Sequence, residues 1–480
     1  MNFKMVLHIL GHILSFEAIL MAIPAIISLA SGDDCFFSFL ITIVILAVIG
    51  IPLMFLRTKN TKVYSQEGFI IVALGWILIS AFGALPAFLS GNIPSYIDSL
   101  FEMISGFTTT GATILTNVEV LPKSLLFWRS FSHWIGGMGV LVFVMAILPQ
   151  AEGRMVHLMR AEVPGPTFGK LAPRMHDTAK ILYSIYFVLT LIQIIMLLLG
   201  GMPLFDSLCI SFGTAGTGGF SITNNGIAAY NSYYLQGVIT AFMILFGINF
   251  NLFYFLLLRR AAKVFKNSEL RCYLIIIIVS AVAITINVFS YFNSVGEAFH
   301  HSLFQTASIM TTTGYSTVDF NLWPEFSKNI LLVLMFIGGC AGSTAGGIKV
   351  SRLMLFFKMA SRGIKRMLHP KSVNNVKLDG KIVDSDTLSG ATAYLTTYLI
   401  IFFASFLVIS LDGFDMSTTL SSLTTTINNV GPGLGLTGPS GSFSMFSGLS
   451  KIVFSLAMLI GRLEIFPVLL LFSPASWKRS

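Results

Sequence analysis

The chemistry available to this chain lies in four short turns: T-T-T-G-A-T (Thr108 to Thr113), T-A-G-T-G-G-F-S (Thr214 to Ser221), T-T-T-G-Y-S-T (Thr311 to Thr317) and T-T-T-I-N-N-V-G-P-G (Thr424 to Gly433). Each follows a hydrophobic stretch too short to span a bilayer and precedes a full-length apolar run. Successive carbonyls can face one axis only if some residue takes a backbone conformation that a side chain obstructs, which is the work of glycine. Threonine hydroxyls beside it hold the strand or accept an ion. A single T-T-T-G is an ordinary capping turn between helices. Four copies at matching positions in a hydrophobic chain are what is needed to surround one axis with backbone carbonyls, the geometry of an ion pore.

The elements that must position these turns are membrane helices. Hydrophobic residues make up 55% of the 480 and charged ones only 11%, against about 25% charged in soluble domains; the mean hydropathy is +0.82. Runs of roughly 20 apolar residues cross about 30 Å of hydrocarbon. They predict ten full spans, near 5–30, 36–56, 67–90, 124–148, 178–201, 232–258, 271–293, 327–357, 385–411 and 447–472. The run at 5–30 is longer than a signal-peptide core of about 7–15 residues and reads as a retained first span. Stretches near 97–108, 204–213, 297–310 and 415–426 fit half-helices that enter the membrane and return. Such a backbone survives at membrane depth only where protein or water surrounds it.

With Gly111, Gly219, Gly314 and Gly431 as reference points, the chain divides into an N-terminal two-helix unit (1–65) and four pore repeats (66–160, 161–262, 263–381 and 382–480). The fold class is therefore an all-α polytopic membrane protein. Four span, half-helix, filter, span units surround a pseudo-fourfold pore.

Most of the 30 Lys and Arg fall in alternate loops, the densest between Lys349 and Lys381. The positive-inside rule places those loops and both termini in the cytoplasm of a cell whose inner membrane holds the chain. The net charge of +9 thus reflects topology and not nucleic-acid binding. Half-helices begin near acids, namely Asp98 and Glu102, Asp206, Glu297, and Asp412 with Asp415. Acids there cap helix N-termini and also draw cations to an outer vestibule. The four cysteines are too scattered for a disulfide framework or a zinc site. No Walker A motif or dinucleotide-binding glycine pattern is present, and no nucleophile, acid and metal-ligand cluster marks an enzyme.

Two further features stand out. Between Gly338 and Gly347 five of ten residues are glycine: Gly338, Gly339, Gly342, Gly346 and Gly347. Glycine costs about 1 kcal/mol relative to alanine inside a helix, so the eighth span must break there or pack closely against small residues. Arg462 lies near the middle of the tenth span, where a cation is costly. It either bonds to half-helix carbonyl ends or faces the cavity beside the glycine-rich segment. Glu464, two residues on, faces another side of the helix and cannot simply neutralise it. Arg129, His133 and Trp134 read as part of an outer interfacial belt, His300 and His301 as packing, and Lys349 as a snorkelling anchor.

The four turns, together with F-W-R-S-F-S-H-W-I-G-G-M-G-V (Phe127 to Val140), G-G-C-A-G-S-T-A-G-G-I-K (Gly338 to Lys349) and G-R-L-E (Gly461 to Glu464), resemble the Trk/Ktr/HKT superfamily of potassium transporters. The extra N-terminal unit resembles its TrkH branch. The resemblance covers essentially the whole chain. It implies potassium uptake through a filter whose carbonyls belong to Thr110 and Gly111, Gly218 and Gly219, Thr313 and Gly314, and Val430 and Gly431. In the second turn, aligning G-G-F-S with T-G-Y-S selects Gly219 as the partner of Gly314. Relatives with serine in place of the first filter glycine carry sodium, so Gly111 implies potassium.

The resemblance further implies a homodimer of two separate pores and a gate at the Gly338 to Gly347 loop with Arg462. It implies a cytoplasmic ring-forming, nucleotide-binding regulatory subunit docked on the basic inner loops, with no organic cofactor in the chain itself. The competing reading is a symporter coupling potassium to protons or sodium. It would use intramembrane acids, and only Glu17 and Glu464 lie far from span ends.

Overall fold

A run of apolar residues with a polar cap at its head suffices to start the first helix. In the computed structural model, which describes residues 1–56, 65–139, 175–370 and 374–477, Phe3–Ser31 begins where Asn2 accepts a hydrogen bond from Met5 N. It ends at Gly32 in the left-handed region (φ 66°). Phe36–Met54 returns alongside. Gly11 lies against Leu53 and Met54, and Gly50 against Ser15, so small residues let the two backbones touch.

The rest is a fourfold repetition. Repeat one has Ser65–Gly83 as its span, Tyr96–Phe107 as its half-helix and Lys123–Gly137 as the start of its return. Repeat two has Met175–Leu199, Leu204–Gly216 and a return through Tyr233–Phe246 and Phe250–Leu257. Repeat three has Ser268–Val288, Val295–Met310, Glu325–Ile337 and Val350–Leu368. Repeat four has Ser385–Ile409, Met416–Ile427, Gly448–Arg462 and Phe466–Phe472. Among the described residues, six helices are long and apolar enough to cross a membrane. Their outer faces carry bare apolar side chains, such as Ile275, Ile278 and Val279, as a surface toward lipid requires.

The expectation of ten continuous spans needs correction. Besides the foreseen break at the glycine-rich segment, the sixth span bends by 94° between Tyr233–Phe246 and Phe250–Leu257. There Asn249 caps the second piece by accepting from Asn251 N, and Phe250 N donates to Gly342 O of the glycine-rich loop instead of continuing a helix. The tenth span also breaks, because Glu464 and Ile465 both adopt positive φ (58° and 70°). Arg462 is therefore the last residue of a helix and not the middle of one. The inner part of the fourth expected span and the 160–161 repeat boundary lie outside the described residues.

Half-helix capping meets the expectation in part: Asp415 is a cap, while Asp98, Asp206 and Glu297 stand in the first turns, where they favour the dipole, without being the caps. Ser95 and Ser294 cap the first and third by accepting from Asp98 N and Glu297 N, Pro203 precedes the second, and Asp415 caps the fourth by accepting from Thr418 N at 3.0 Å. Bonds from Thr418 hold the Asp415 carboxyl below the usual carboxylate range. Asp98 pairs with Lys451 at 2.6 Å, Asp206 accepts from Tyr230, and Asp412 accepts from Ser447 N. Serine and aspartate serve alike as caps, each side-chain oxygen accepting from an N–H of the first turn.

Candidate functional site

The four half-helices converge and end in one way. The N–H of Thr110 donates to Ser105 O, that of Gly218 to Gly213 O, that of Thr313 to Ser308 O and that of Val430 to Thr425 O, at 2.8–2.9 Å. This is the six-to-one bond of a Schellman terminus, which needs a left-handed residue just before it. Thr109, Thr217, Thr312 and Asn429 take that conformation, with φ between 55° and 57°. Three of them are β-branched, so each stores about 1–3 kcal/mol of backbone strain. Two residues on, Gly111, Gly219, Gly314 and Gly431 are again at positive φ (79°, 74°, 81° and 98°). The second turn thus repeats the others in the register that pairs Gly219 with Gly314.

The turns close on one another in order. A Cβ on Gly111 would fall on the carbonyl oxygen of Gly218, one on Gly219 on that of Thr313, and one on Gly314 on that of Val430. One on Gly431 would lie 2.7 Å from that of Thr110, completing the circuit. Every sequence-predicted filter residue is therefore in this ring. On one side the ring opens into a cavity of about 260 Å3 lined by all four ring glycines.

Beneath the third and fourth turns lies the glycine-rich loop. Gly346 N donates to Thr312 Oγ1 (2.6 Å) and Gly347 N to Asn428 O (3.0 Å). Gly338, at φ 73°, closes the loop on itself, since a Cβ there would collide with Gly346 O. Gly339 O accepts from Val350 N, Gly342 O accepts from Phe250 N, and Cys340 N donates to Gly247 O. Glu269 ties the two ends, its Oε1 accepting from Ala341 N at 2.7 Å and Ser351 N at 3.1 Å. Lys349 does not snorkel: it is buried and donates to Ala345 O, because a broken helix leaves carbonyls that need donors.

Arg462 donates to Thr344 O of the loop (2.8 Å) and to Gly136 O and Gly137 O at the end of Lys123–Gly137 (2.5 Å each). Its carbonyl partners are on the loop and the fourth span, not on half-helix ends. Glu464 pairs instead with Arg352 at 2.5 Å, and that guanidinium sits 4.1 Å over the Tyr394 ring.

The belt reading of Arg129 and His133 fails, since both are buried. Glu102, expected as an outer acid, is buried with them. Its Oε1 accepts from Arg129 Nε (2.9 Å) and Nη2 (2.7 Å), while Ile114 N and Thr113 Oγ1 of the first turn also donate to it. His133 Nδ1 donates to Gly106 O at 2.7 Å, and Phe220 N donates to His133 Nε2 at 3.2 Å. Trp134 is half-buried and donates to Thr190. A signal for this network exists in the sequence: Arg129 and His133 are four apart, on one face of an apolar helix, at a depth where polar groups need partners. His300 and His301 do pack as expected, against Gln236 and Thr317.

Residues 36–479 match the TrkH family, described as cation transport protein. The chain belongs to the TrkH family. It is 36% identical over 489 residues to the Trk system potassium uptake protein TrkH of Halomonas elongata, covering all of both chains. It is 34% identical over 480 residues to TrkG of Escherichia coli K12, covering 99% of each. The crystal structure of the potassium transporter TrkH from Vibrio parahaemolyticus superposes with a TM-score of 0.89 at 33% identity, over the full length of both chains.

Within this TrkH-family fold the Glu102–Arg129 pair yields a stability prediction. Glu102→Ala leaves a buried guanidinium uncompensated, at a cost of roughly 3–5 kcal/mol. Purified protein should melt at a clearly lower temperature and accumulate less in membranes; an unchanged melting temperature would show that Arg129 finds water or another partner.

Proposed function

We propose that this chain takes up potassium across the cytoplasmic membrane through the ring formed by Thr110 and Gly111, Gly218 and Gly219, Thr313 and Gly314, and Val430 and Gly431. The closure of the four turns into one circuit of glycines and carbonyls is the observation that carries this reading. A potassium ion entering from the outer cavity exchanges its hydration water for these carbonyls. The half-helix C-termini that meet there add the negative ends of their dipoles. The relatives TrkH and TrkG, named potassium uptake proteins, support the choice of ion.

The loop from Gly338 to Gly347 is the gate in this reading. It lies against the ring, with Cys340 and Gly342 bonded to repeat two and Gly346 and Gly347 bonded to the turns. Deleting several residues between Gly339 and Ala345 should raise conduction severalfold with no partner present, since it removes the movable obstruction that lies against the ring. A deleted protein that folds yet conducts less than the parent would make the segment a support of the pore.

Coupling to protons or sodium gains no support from the acids. Glu464 is held by Arg352, and Glu17, buried beside Gly83, does not line the cavity at the ring. We place both termini in the cytoplasm and two such pores in a homodimer. A nucleotide-binding ring subunit then docks on the basic inner surface, where Arg362, Lys365 and Arg366 are exposed.

The test is complementation. A bacterial host lacking its own potassium uptake should grow at low potassium when it expresses the chain. Membrane-inserted protein that gives no potassium uptake would overturn the reading.

A further inference from the structure

The ring strands make few bonds to one another, yet a carbonyl ring discriminates between ions of similar charge only if its width is held. Side chains behind the turns supply that restraint, and they do so at the joints. Between the first and second turns stands His133. Its Nδ1–H reaches Gly106 O near the end of the first half-helix, and its Nε2 receives Phe220 N from the strand leaving the second turn. Those two partners admit only the neutral ring protonated at Nδ1. The imidazole lies so close to Gly218 that a Cβ there would collide with it, and its centroid is 4.3 Å from that of Phe220. One turn away on the same helix, Arg129 lies 4.1 Å over the Phe220 ring while bonded to Glu102, so one helix face grips both turns.

The other joints are bridged in kind. Tyr315, in the third turn, donates through its hydroxyl to Phe220 O (3.4 Å) and Ile210 O (3.2 Å) of the second repeat. Asn429, in the fourth, donates through Nδ2 to Thr110 Oγ1 of the first (2.9 Å) and to Met458 O (3.0 Å). Outside the ring, Asn321 donates to Gly435 O and accepts from Gly435 N, joining the third turn's outer strand to the fourth.

We propose that these side chains form a cuff around the ring, in which His133 is the positioning residue that sets the separation of the first two quadrants. Tyr315 and Asn429 set the second–third and fourth–first separations. The proposal rests on the reading of the ring as a potassium filter and adds to it which residues fix its width. A smaller ion gains from the ring only if the carbonyls close in, and the cuff resists that movement. Loosening one bridge should therefore let sodium be coordinated while potassium still passes.

The experiment compares potassium and sodium flux through purified full-length protein in liposomes for His133→Asn, Tyr315→Phe and, as a reference, Gly111→Ser. Asparagine keeps a donor toward Gly106 O and loses the acceptor for Phe220 N; phenylalanine removes only the hydroxyl. Each cuff variant should lower the potassium-to-sodium flux ratio by about threefold to tenfold, the effect of one net hydrogen bond. A purely structural role predicts a lower melting temperature with the ratio of the folded protein unchanged. That result in Tyr315→Phe, or in both cuff variants, with Gly111→Ser still altering the ratio, overturns the cuff. If Gly111→Ser leaves the ratio unchanged as well, the filter reading itself fails. Should His133→Asn not fold, Tyr315→Phe carries the test.

Discussion

Gly111→Ser is expected to admit sodium. Gly111 has φ 79°, where a side chain is strained, and its Cβ would fall on the carbonyl oxygen of Gly218. The serine must therefore displace the second quadrant or rotate its own peptide. Either movement removes a carbonyl from its place and offers a hydroxyl instead. A loss of about 1.4 kcal/mol in the difference between the two ions is a tenfold change, and a displaced quadrant should produce at least that in the potassium-to-sodium flux ratio. Flux with an unaltered ratio would remove Gly111 from the filter.

Arg462→Ala should raise basal potassium flux with little change in selectivity. The arginine ties the loop at Thr344 to the fourth span at Gly136 and Gly137. Hydrogen bonds from a charged group are worth about 1.5–3 kcal/mol each, and a gate that moves away from the ring must give up the one to Thr344. The positive charge near the ring also raises the barrier to a cation where the dielectric is low. Losing both effects favours the open state, with an increase on the order of tenfold for each 1.4 kcal/mol lost. Arg462→Lys should be intermediate, keeping the charge without the planar fork that reaches three carbonyls at once. Potassium uptake in a transport-deficient host, normalised to protein in the membrane, decides the matter. Normal expression with unchanged or lower uptake would make Arg462 a structural clamp.

What could be read from the sequence followed from local rules. Half-helices, turns and the broken eighth span were legible because hydropathy length and glycine placement report directly on backbone conformation at membrane depth. The breaks at Gly247–Asn249 and Glu464–Ile465 were not. They depend on donors and acceptors from other repeats, such as Gly342 O for Phe250 N, and hydropathy carries no trace of these. For Arg129 and His133 the four-residue spacing on an apolar helix is a trace, but it does not name Glu102 as the partner. Each reads as an interfacial residue by position along its own helix, whereas the fold pairs Glu102 with Arg129 inside repeat one and brings Phe220 of repeat two against Arg129 and His133. Arg462 and Glu464 were rightly kept apart, although the partners, Gly136 and Arg352, lie in distant segments. The left-handed threonines were hidden for another reason. A β-branched residue is the last expected at positive φ, and the four-turn ring holds Thr109, Thr217 and Thr312 there against that preference.

A passive carbonyl filter for potassium shows itself in cation flux through the purified chain in liposomes without a proton gradient. Potassium and rubidium should pass, sodium and lithium should be excluded, and collapsing any pH difference should leave the potassium rate unchanged. Equal passage of sodium and lithium, or potassium flux that vanishes when no proton or sodium gradient is imposed, would contradict it.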